Sequence, residues 1–413
     1  MNIWIFNHYA IAPGSSGGTR HYDFSKRLVK NGINVKIFAS SFEHQSMEER
    51  RIFDNQTKFL EESYNGVNYV WIKTFPYKAN DWRRVINMLT YTFRVYKYSL
   101  KQKEKPDIII GTLMHPLAAL LGQIIAKKKK SLFYFEERDL WPQTLIDLGK
   151  FSKSNPVVWL LDKLELFLYK KAKRVIILFD KAVNYVEGRG IDKEKILYLP
   201  NGADLDRYKK PVEILPAEVE ELFTRLSNKF IAIYTGAHGV ANYLEKILDV
   251  AKILKVDNHN IHFLLVGDGP EKQRLIERKE SEELDNVTFI SPISKDLIPS
   301  VLKKADIGLI SMMSVPIYKW GFSLNKMYDY MAAGLPIVIL LEHYETVIEK
   351  YGLGERVSNP LEMAVSIDKF FNEKEYTLKI SKKVQEYVEE YHSWEKQSKK
   401  LIDAIQEDIK KMS

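Results

Sequence analysis

Short apolar runs alternate with amphipathic stretches along this chain, and the alternation starts twice. Ile3–Asn7 reads as a strand and Thr19–Asn31 as a helix with Phe24 and Leu28 on its apolar side. Gly32 stops that helix, and Val35–Ala39 is the next strand. Asp107–Gly111, Leu132–Glu136, Arg174–Phe179 and Ile196–Pro200 follow as strands, with helices over Pro116–Lys127 and Pro156–Lys173. The rhythm then restarts. Phe230–Gly236, His262–Gly267, Val287–Ile290, Ile307–Ile310 and Ile337–Leu341 read as strands, with Leu244–Lys255, Pro270–Lys279 and Asp296–Lys304 as helices between them. Strands alternating with helices build parallel sheets covered on both faces. The expected fold class is therefore α/β, with two Rossmann-like, doubly wound domains. They are placed at residues 1–205 and 206–392, with a Pro-bearing linker reaching to about Pro216. A last helix, in residues 393–413, is expected to cross back onto the first domain. Ligands in such sheets bind beyond the strand C-terminal ends, here expected in a cleft between two facing domains.

A chain of 413 residues, 45% hydrophobic and 28% charged, is globular. Its formal net charge of +8 suits an anionic partner: a phosphorylated substrate, an acidic lipid surface or nucleic acid. With no cysteine, thiol catalysis and disulfides are excluded. The nine histidines show no metal-ligand spacing, so no metal is expected. Met1–Asn7 reads as a strand and not as a signal peptide. No apolar run approaches the roughly 18–20 residues needed to span a bilayer. The expected location is the cytoplasm, at most peripheral at the inner face of the cell membrane.

The segment Trp320–Pro336 carries the most chemistry. Ser323-Leu324-Asn325 leads into a short helix whose free N–H groups suit a phosphate. Lys326 lies in its first turn, and Asp329 stands one turn further, where a carboxylate can hold ribose hydroxyls. An ordinary loop-helix-strand unit would show the same pattern, and on this segment alone both readings stand.

Further motifs occur in order: Gly17-Gly18, Arg138-Asp139-Leu140-Trp141-Pro142, Pro200-Asn201-Gly202-Ala203-Asp204, Gly267-Asp268-Gly269-Pro270, Ala332-Ala333-Gly334-Leu335-Pro336 and His392-Ser393-Trp394-Glu395. The set resembles family 4 retaining glycosyltransferases of the GT-B fold, from the first strand to the last helix. It is most similar to the branch that builds bacterial O-antigen and capsule repeats with amino-sugar, fucosamine-type transferases. The resemblance implies a hexosyltransferase-type enzyme. It would move a sugar from a nucleotide-sugar donor, UDP-linked, to a glycan or polyprenyl-diphosphate-linked acceptor, with no cofactor.

It also implies residue roles. Gly17 and Gly18 approach the diphosphate and acceptor, His115 lies near the transferred sugar, and Asp139 stands in the acceptor half. Gly236 and Gly267 turn at the ends of nucleotide-domain strands. Pro292 and Ile293 read the base through the backbone, and Asp329 holds the ribose. The expected catalytic set is His115, Asp139 and Lys326. Three departures stand out. Gly321 occupies the position of the family's first glutamate, and Asp329 replaces the second. Gly236-Ala237-His238-Gly239 also lacks the Arg/Lys pair that many members carry there. Lys326, then Lys319, is expected to meet the diphosphate charge instead, with His238 well placed as a further donor. Arg20 is expected to be an ordinary surface residue.

Trp82–Lys103 has helical periodicity, with Trp82, Val85, Ile86, Leu89, Phe93, Tyr96 and Leu100 on one face. Arg83, Arg84, Arg94, Lys97 and Lys101 lie beside it. It reads either as a helix that docks on an anionic membrane, with the Lys127–Lys130 run nearby, or as a core helix with a solvated basic edge. No nucleic-acid module is present. Two other functional classes compete with transfer: a GT-B sugar-nucleotide epimerase or hydrolase, and a non-catalytic nucleotide-sugar-binding protein.

Overall fold

The apolar runs become the strands of two sheets. The computed structural model describes all residues except 16, 45, 55, 80, 211–213, 258–259 and 412–413. The chain divides into two units, one of residues 1–13, 18–200 and 397–413, the other of residues 14–17 and 201–396. Ser16 of the glycine loop and residues 211–213 of the expected linker lie outside the described residues. The chain changes unit between Pro200 and Asn201, ahead of that linker stretch.

The first unit holds an eight-stranded sheet. Its order is Ile196–Tyr198, Arg174–Ile177, Leu132–Glu137, Ile108–Leu113, Asn2–Phe6, Asn34–Ser40, Val67–Ile72 and Phe59–Tyr64. The last two form an antiparallel hairpin at the sheet edge, where no strand was expected; the other pairings are parallel. Strands such as Ile108–Leu113 are buried along their whole length, as a sheet covered on both faces requires.

Right-handed crossovers that run in opposite directions along a sheet place their helices on opposite faces. Arg20–Lys30 therefore lies on one face. Trp82–Lys101, Pro116–Lys129 and Pro156–Lys171 lie on the other. The final helix, Trp394–Lys410, belongs to the first unit from Gln397 onward. Its Asp408 accepts from Tyr134 Oη at 2.6 Å and from Arg174 Nε at 2.8 Å.

The second unit holds six parallel strands. Their order is Val287–Ile290, Ile261–Val266, Phe230–Thr235, Ile307–Ser311, Ile337–Leu340 and Gly354–Val357. The strand Gly354–Val357 and the helices Pro360–Asn372 and Lys374–Tyr387 were not expected. Two motifs far apart in sequence meet in this unit. Ala203 N donates to His392 O at 2.9 Å, and Trp394 N donates to Ala203 O at 3.0 Å. A Cβ on Gly202 would lie 2.6 Å from His392 O, so the outgoing and returning chains pack backbone to backbone there.

Candidate functional site

The first unit gathers polar side chains at the C-terminal ends of its central strands. Glu136, near the end of Leu132–Glu137, accepts from Arg20 Nε at 2.8 Å and Thr112 Oγ1 at 2.9 Å, and its other contact is His21 Nε2 at 2.6 Å. His21 Nδ1 lies 2.8 Å from Asn7 Nδ2. Burial alone would raise the Glu136 carboxyl. The His21 ring and the Arg20 guanidinium outweigh it and hold the group well below the usual carboxylate range. Arg20 is a buried pivot and not the surface residue expected. Beyond Glu136 it donates to the carbonyl oxygens of Leu199 and Pro200, each at 2.7 Å, where the first unit ends.

His115 caps the Pro116–Lys129 helix and is buried. Its Nε2 lies 2.7 Å from His8 Nδ1, and the His8 ring stacks on Tyr91 at 4.3 Å. Burial, then the nearby Arg84, pushes His115 down to about 3, so the ring is neutral at physiological pH. Its Nδ1 has no partner among the described residues. Asp139 sits on an exposed turn between Leu132–Glu137 and the short helix Gln143–Asp147; it does not cap a helix. The hydrogen bond of His115 runs to His8 and not to the Glu136 cluster.

In the second unit the site is built from backbone. Gly236 N donates to Val266 O at 2.9 Å, and His238 N donates to Asp268 O at 2.8 Å. The two strand-end loops touch so closely that a Cβ on Gly267 would lie 1.9 Å from Gly236 O. One on Gly269 would lie 2.5 Å from His238 O. Side chains at 267 and 269 would force the loops apart. The His238 ring is fully buried beside Phe289, and neither ring nitrogen has a hydrogen-bond partner among the described residues. Burial, then Lys272, lowers it to about 4.

Lys326, one residue into the helix Asn325–Ala333, reaches this cradle. Its Nζ lies 3.7 Å from the centroid of the Tyr234 ring and 3.4 Å from Asn242 Oδ1. A Cβ on Gly236 would lie 3.0 Å from the same Nζ. Burial pulls the ammonium down to about 7. Lys319, the second expected cation, is exposed and lies over Trp320. Asp329 is held on both oxygens, by Lys295 and by Tyr208 Oη at 3.0 Å. Neither partner was expected, because both come from other segments of the chain. Gly321 ends the 3-10 turn Pro316–Trp320 at φ +89°, a left-handed backbone that glutamate would strain. The replacement at that position is thus a change of chain path as well as of charge.

Ser323 ties this segment to the Asn201 motif: Asn201 N donates to Ser323 Oγ at 2.9 Å, and Asn201 Nδ2 donates to Ser323 O at 2.8 Å. Leu324 packs on the core of the unit just before the helix. Pro292 is exposed and Ile293 half-buried in the loop after Val287–Ile290. Ser294 in that loop donates to Gly14 O at 3.1 Å. Gly17 is exposed at φ +126°, and Gly18 is half-buried. No cluster of three or more potential metal ligands occurs among the described residues.

Residues 17–202 match the glycosyl transferase 4-like domain, and residues 220–400 match the family glycosyl transferases group 1. The chain belongs to the family 4-like, group 1 glycosyltransferases. A relative in Escherichia coli K12, by name a colanic acid biosynthesis glycosyl transferase, WcaI, is 24% identical over 329 residues, 77% of each chain. Two solved glycosyltransferase-like folds superpose along the chain. Sucrose-phosphate synthase from Thermosynechococcus elongatus has a TM-score of 0.74 at 16% identity, covering 100% of both chains. HepE from Anabaena, solved with UDP and glucose, has a TM-score of 0.68 at 14% identity, covering 98% of this chain and 100% of its own. These likenesses establish the GT-B class of two Rossmann-like α/β domains. Within this glycosyltransferase, Tyr208, Tyr234, Lys295 and the Arg20–His21–Glu136 cluster are the polar residues that sequence reading missed. The carboxylates ending the apolar run Leu132–Glu137 were the one available signal for the cluster.

Proposed function

We propose that this glycosyltransferase moves an N-acetylamino sugar from a UDP-linked donor to a lipid-linked or glycan acceptor of a surface polysaccharide, with retention of anomeric configuration and without a metal. The observation that carries the reading is the locked pair of glycine loops, Gly236–His238 and Gly267–Gly269, with Lys326 beside them. Close backbone and one poorly paired cation suit a diphosphate. The name of WcaI and the UDP held by HepE support the polysaccharide setting and the base. The amino sugar rests on the Arg138–Pro142 motif alone.

In this reading the second unit binds the nucleotide. Lys326 stabilises the leaving diphosphate as its charge grows, so its contribution falls mainly in the transition state. The leaving phosphate takes the acceptor's proton on the face it departs from, and no enzyme nucleophile is needed. Neutral His115 holds a sugar hydroxyl by a hydrogen bond, and Asp139 serves the acceptor. Proton NMR of the first-formed product tests the stereochemistry, with the assay repeated in EDTA. The expected outcome is a product of the donor's anomeric configuration at an undiminished rate. An inverted product, or activity lost in EDTA and restored by a divalent ion, overturns the reading. Release of a free altered sugar with no extended acceptor points instead to the epimerase or hydrolase class.

A further inference from the structure

The Trp82–Lys101 helix leaves a stripe of large apolar side chains exposed. The residues it buries are Asn87, Tyr91, Val95, Tyr98 and Ser99. Its apolar stripe faces solvent, with Trp82 63% and Phe93 57% exposed. The Pro156–Lys171 helix repeats the arrangement, with Trp159 and Leu160 each 61% exposed, and Leu148 and Phe151 lie exposed in the turn before it. Pro116–Lys129 packs between the two helices on the same face of the sheet. Neither core packing nor solvation accounts for so many exposed large rings on one face.

Charge selects the occupant. Trp82–Lys101 and Pro116–Lys129 contain no Asp or Glu. A cation lies over four of the exposed rings: Arg83 over Trp82, Lys97 over Phe93, Lys163 over Trp159 and Lys171 over Phe167. Aromatic rings paired with basic side chains match the depth of lipid headgroups, where the ring is half-dry and the cation meets phosphate. A two-fold contact with a second copy would set this basic face against itself. Not every basic residue of the stretch takes part: Arg84 donates to Tyr9 Oη at 3.2 Å, and Arg94 is tied to Lys73 O, so both point inward.

We infer that this face docks on an anionic bilayer, with Trp82 and the elbow Leu148–Leu160 entering the interface. Crossover helices run antiparallel to their strands, so both exposed helices begin at the strand C-terminal edge. That is the edge bearing His115 and Asp139. Docking would bring these two residues of the first unit to a lipid-borne substrate. Only that purpose rests on the proposed function; the docking itself does not.

The test is co-sedimentation of the full chain with vesicles of phosphatidylglycerol in phosphatidylcholine, against phosphatidylcholine alone, with tryptophan quenching by brominated lipid. The protein should bind the anionic vesicles in a salt-sensitive way, with quenching. Trp82→Ser with Trp159→Ser, and separately Lys97→Glu with Lys163→Glu and Lys171→Glu, should each weaken binding by about tenfold or more. Both variants should keep the wild-type melting temperature and full activity on a soluble acceptor analogue, which separates failure of docking from failure of the transferase reading. No binding at low salt, or undiminished binding in both variants, overturns the inference. So does a dimer that the tryptophan variant dissolves.

Discussion

The two units treat buried charge at their strand ends in opposite ways. In the first, Glu136 meets Arg20, His21 and Thr112, and the charge is matched inside the protein. In the second, Lys326 has a tyrosine ring and one long amide contact, and no carboxylate pairs with it among the described residues. The His238 ring beside it is neutral, and neither of its nitrogens has a hydrogen-bond partner among the described residues. A matched cluster holds a scaffold in place, whereas a desolvated cation without an anion is an electrostatic vacancy that a ligand can fill. Asp329, also in the second unit, shows that the contrast is local: its own charge is already met by Lys295.

The contrast predicts opposite consequences of removing charge. The larger effect belongs to the first unit. Glu136→Gln would remove the carboxylate charge that meets the buried Arg20 guanidinium, at a cost of about 3–5 kcal/mol in unfolding free energy. Urea denaturation measures it. A loss below about 1 kcal/mol would place Glu136 among ordinary surface-like sites and dissolve the comparison. Because the folded state holds this carboxyl below its usual range, its stabilisation is complete above the unfolded value, and it disappears as pH falls through the folded one.

Next in size is Lys326→Met. Turnover should fall by about 100- to 1,000-fold, the loss seen when one preorganised donor to a developing anion is removed. The fold should survive unharmed, since no ion pair is broken. Unchanged turnover would make Lys326 a packing residue, and a large loss of stability would make it a scaffold residue like Arg20.

Much of the architecture was legible in the sequence, because buried parallel strands such as Ile337–Leu340 are continuous apolar runs. The edge hairpin Phe59–Ile72 was not: Glu61 and Glu62 interrupt its apolar pattern, and an antiparallel pair breaks the strand-helix rhythm. Periodicity correctly grouped Trp82, Leu89 and Phe93 on one face, but it carries no information about which face looks inward. That Lys326 and the glycine loops would lie together was legible, because each closes or follows a buried strand of one sheet. Arg20 was misjudged: its partner Glu136 lies 116 residues away, and only the sheet brings them together.

The most direct probe of the unmatched lysine is its proton linkage. Burial lowers Lys326 to about 7 in the folded protein, while an unfolded lysine titrates near 10.4. Below the folded value both states carry the proton, and the penalty of burying the charge is fully present. As pH rises from about 7 towards 10, the unfolded chain binds more protons than the folded one, so this residue's penalty is progressively relieved. Lys326→Met should therefore be more stable than the parent chain at acidic pH, and the two should converge in alkali. A diphosphate seated beside Nζ would favour the ammonium and raise its pKa again. UDP binding above neutral pH should then take up a fraction of a proton, measured by calorimetry in buffers of different ionisation enthalpy. The Met variant should show none of it. If the parent chain binds UDP with no buffer dependence, the diphosphate does not sit at Lys326, and the second unit's unmatched charge serves something other than the donor.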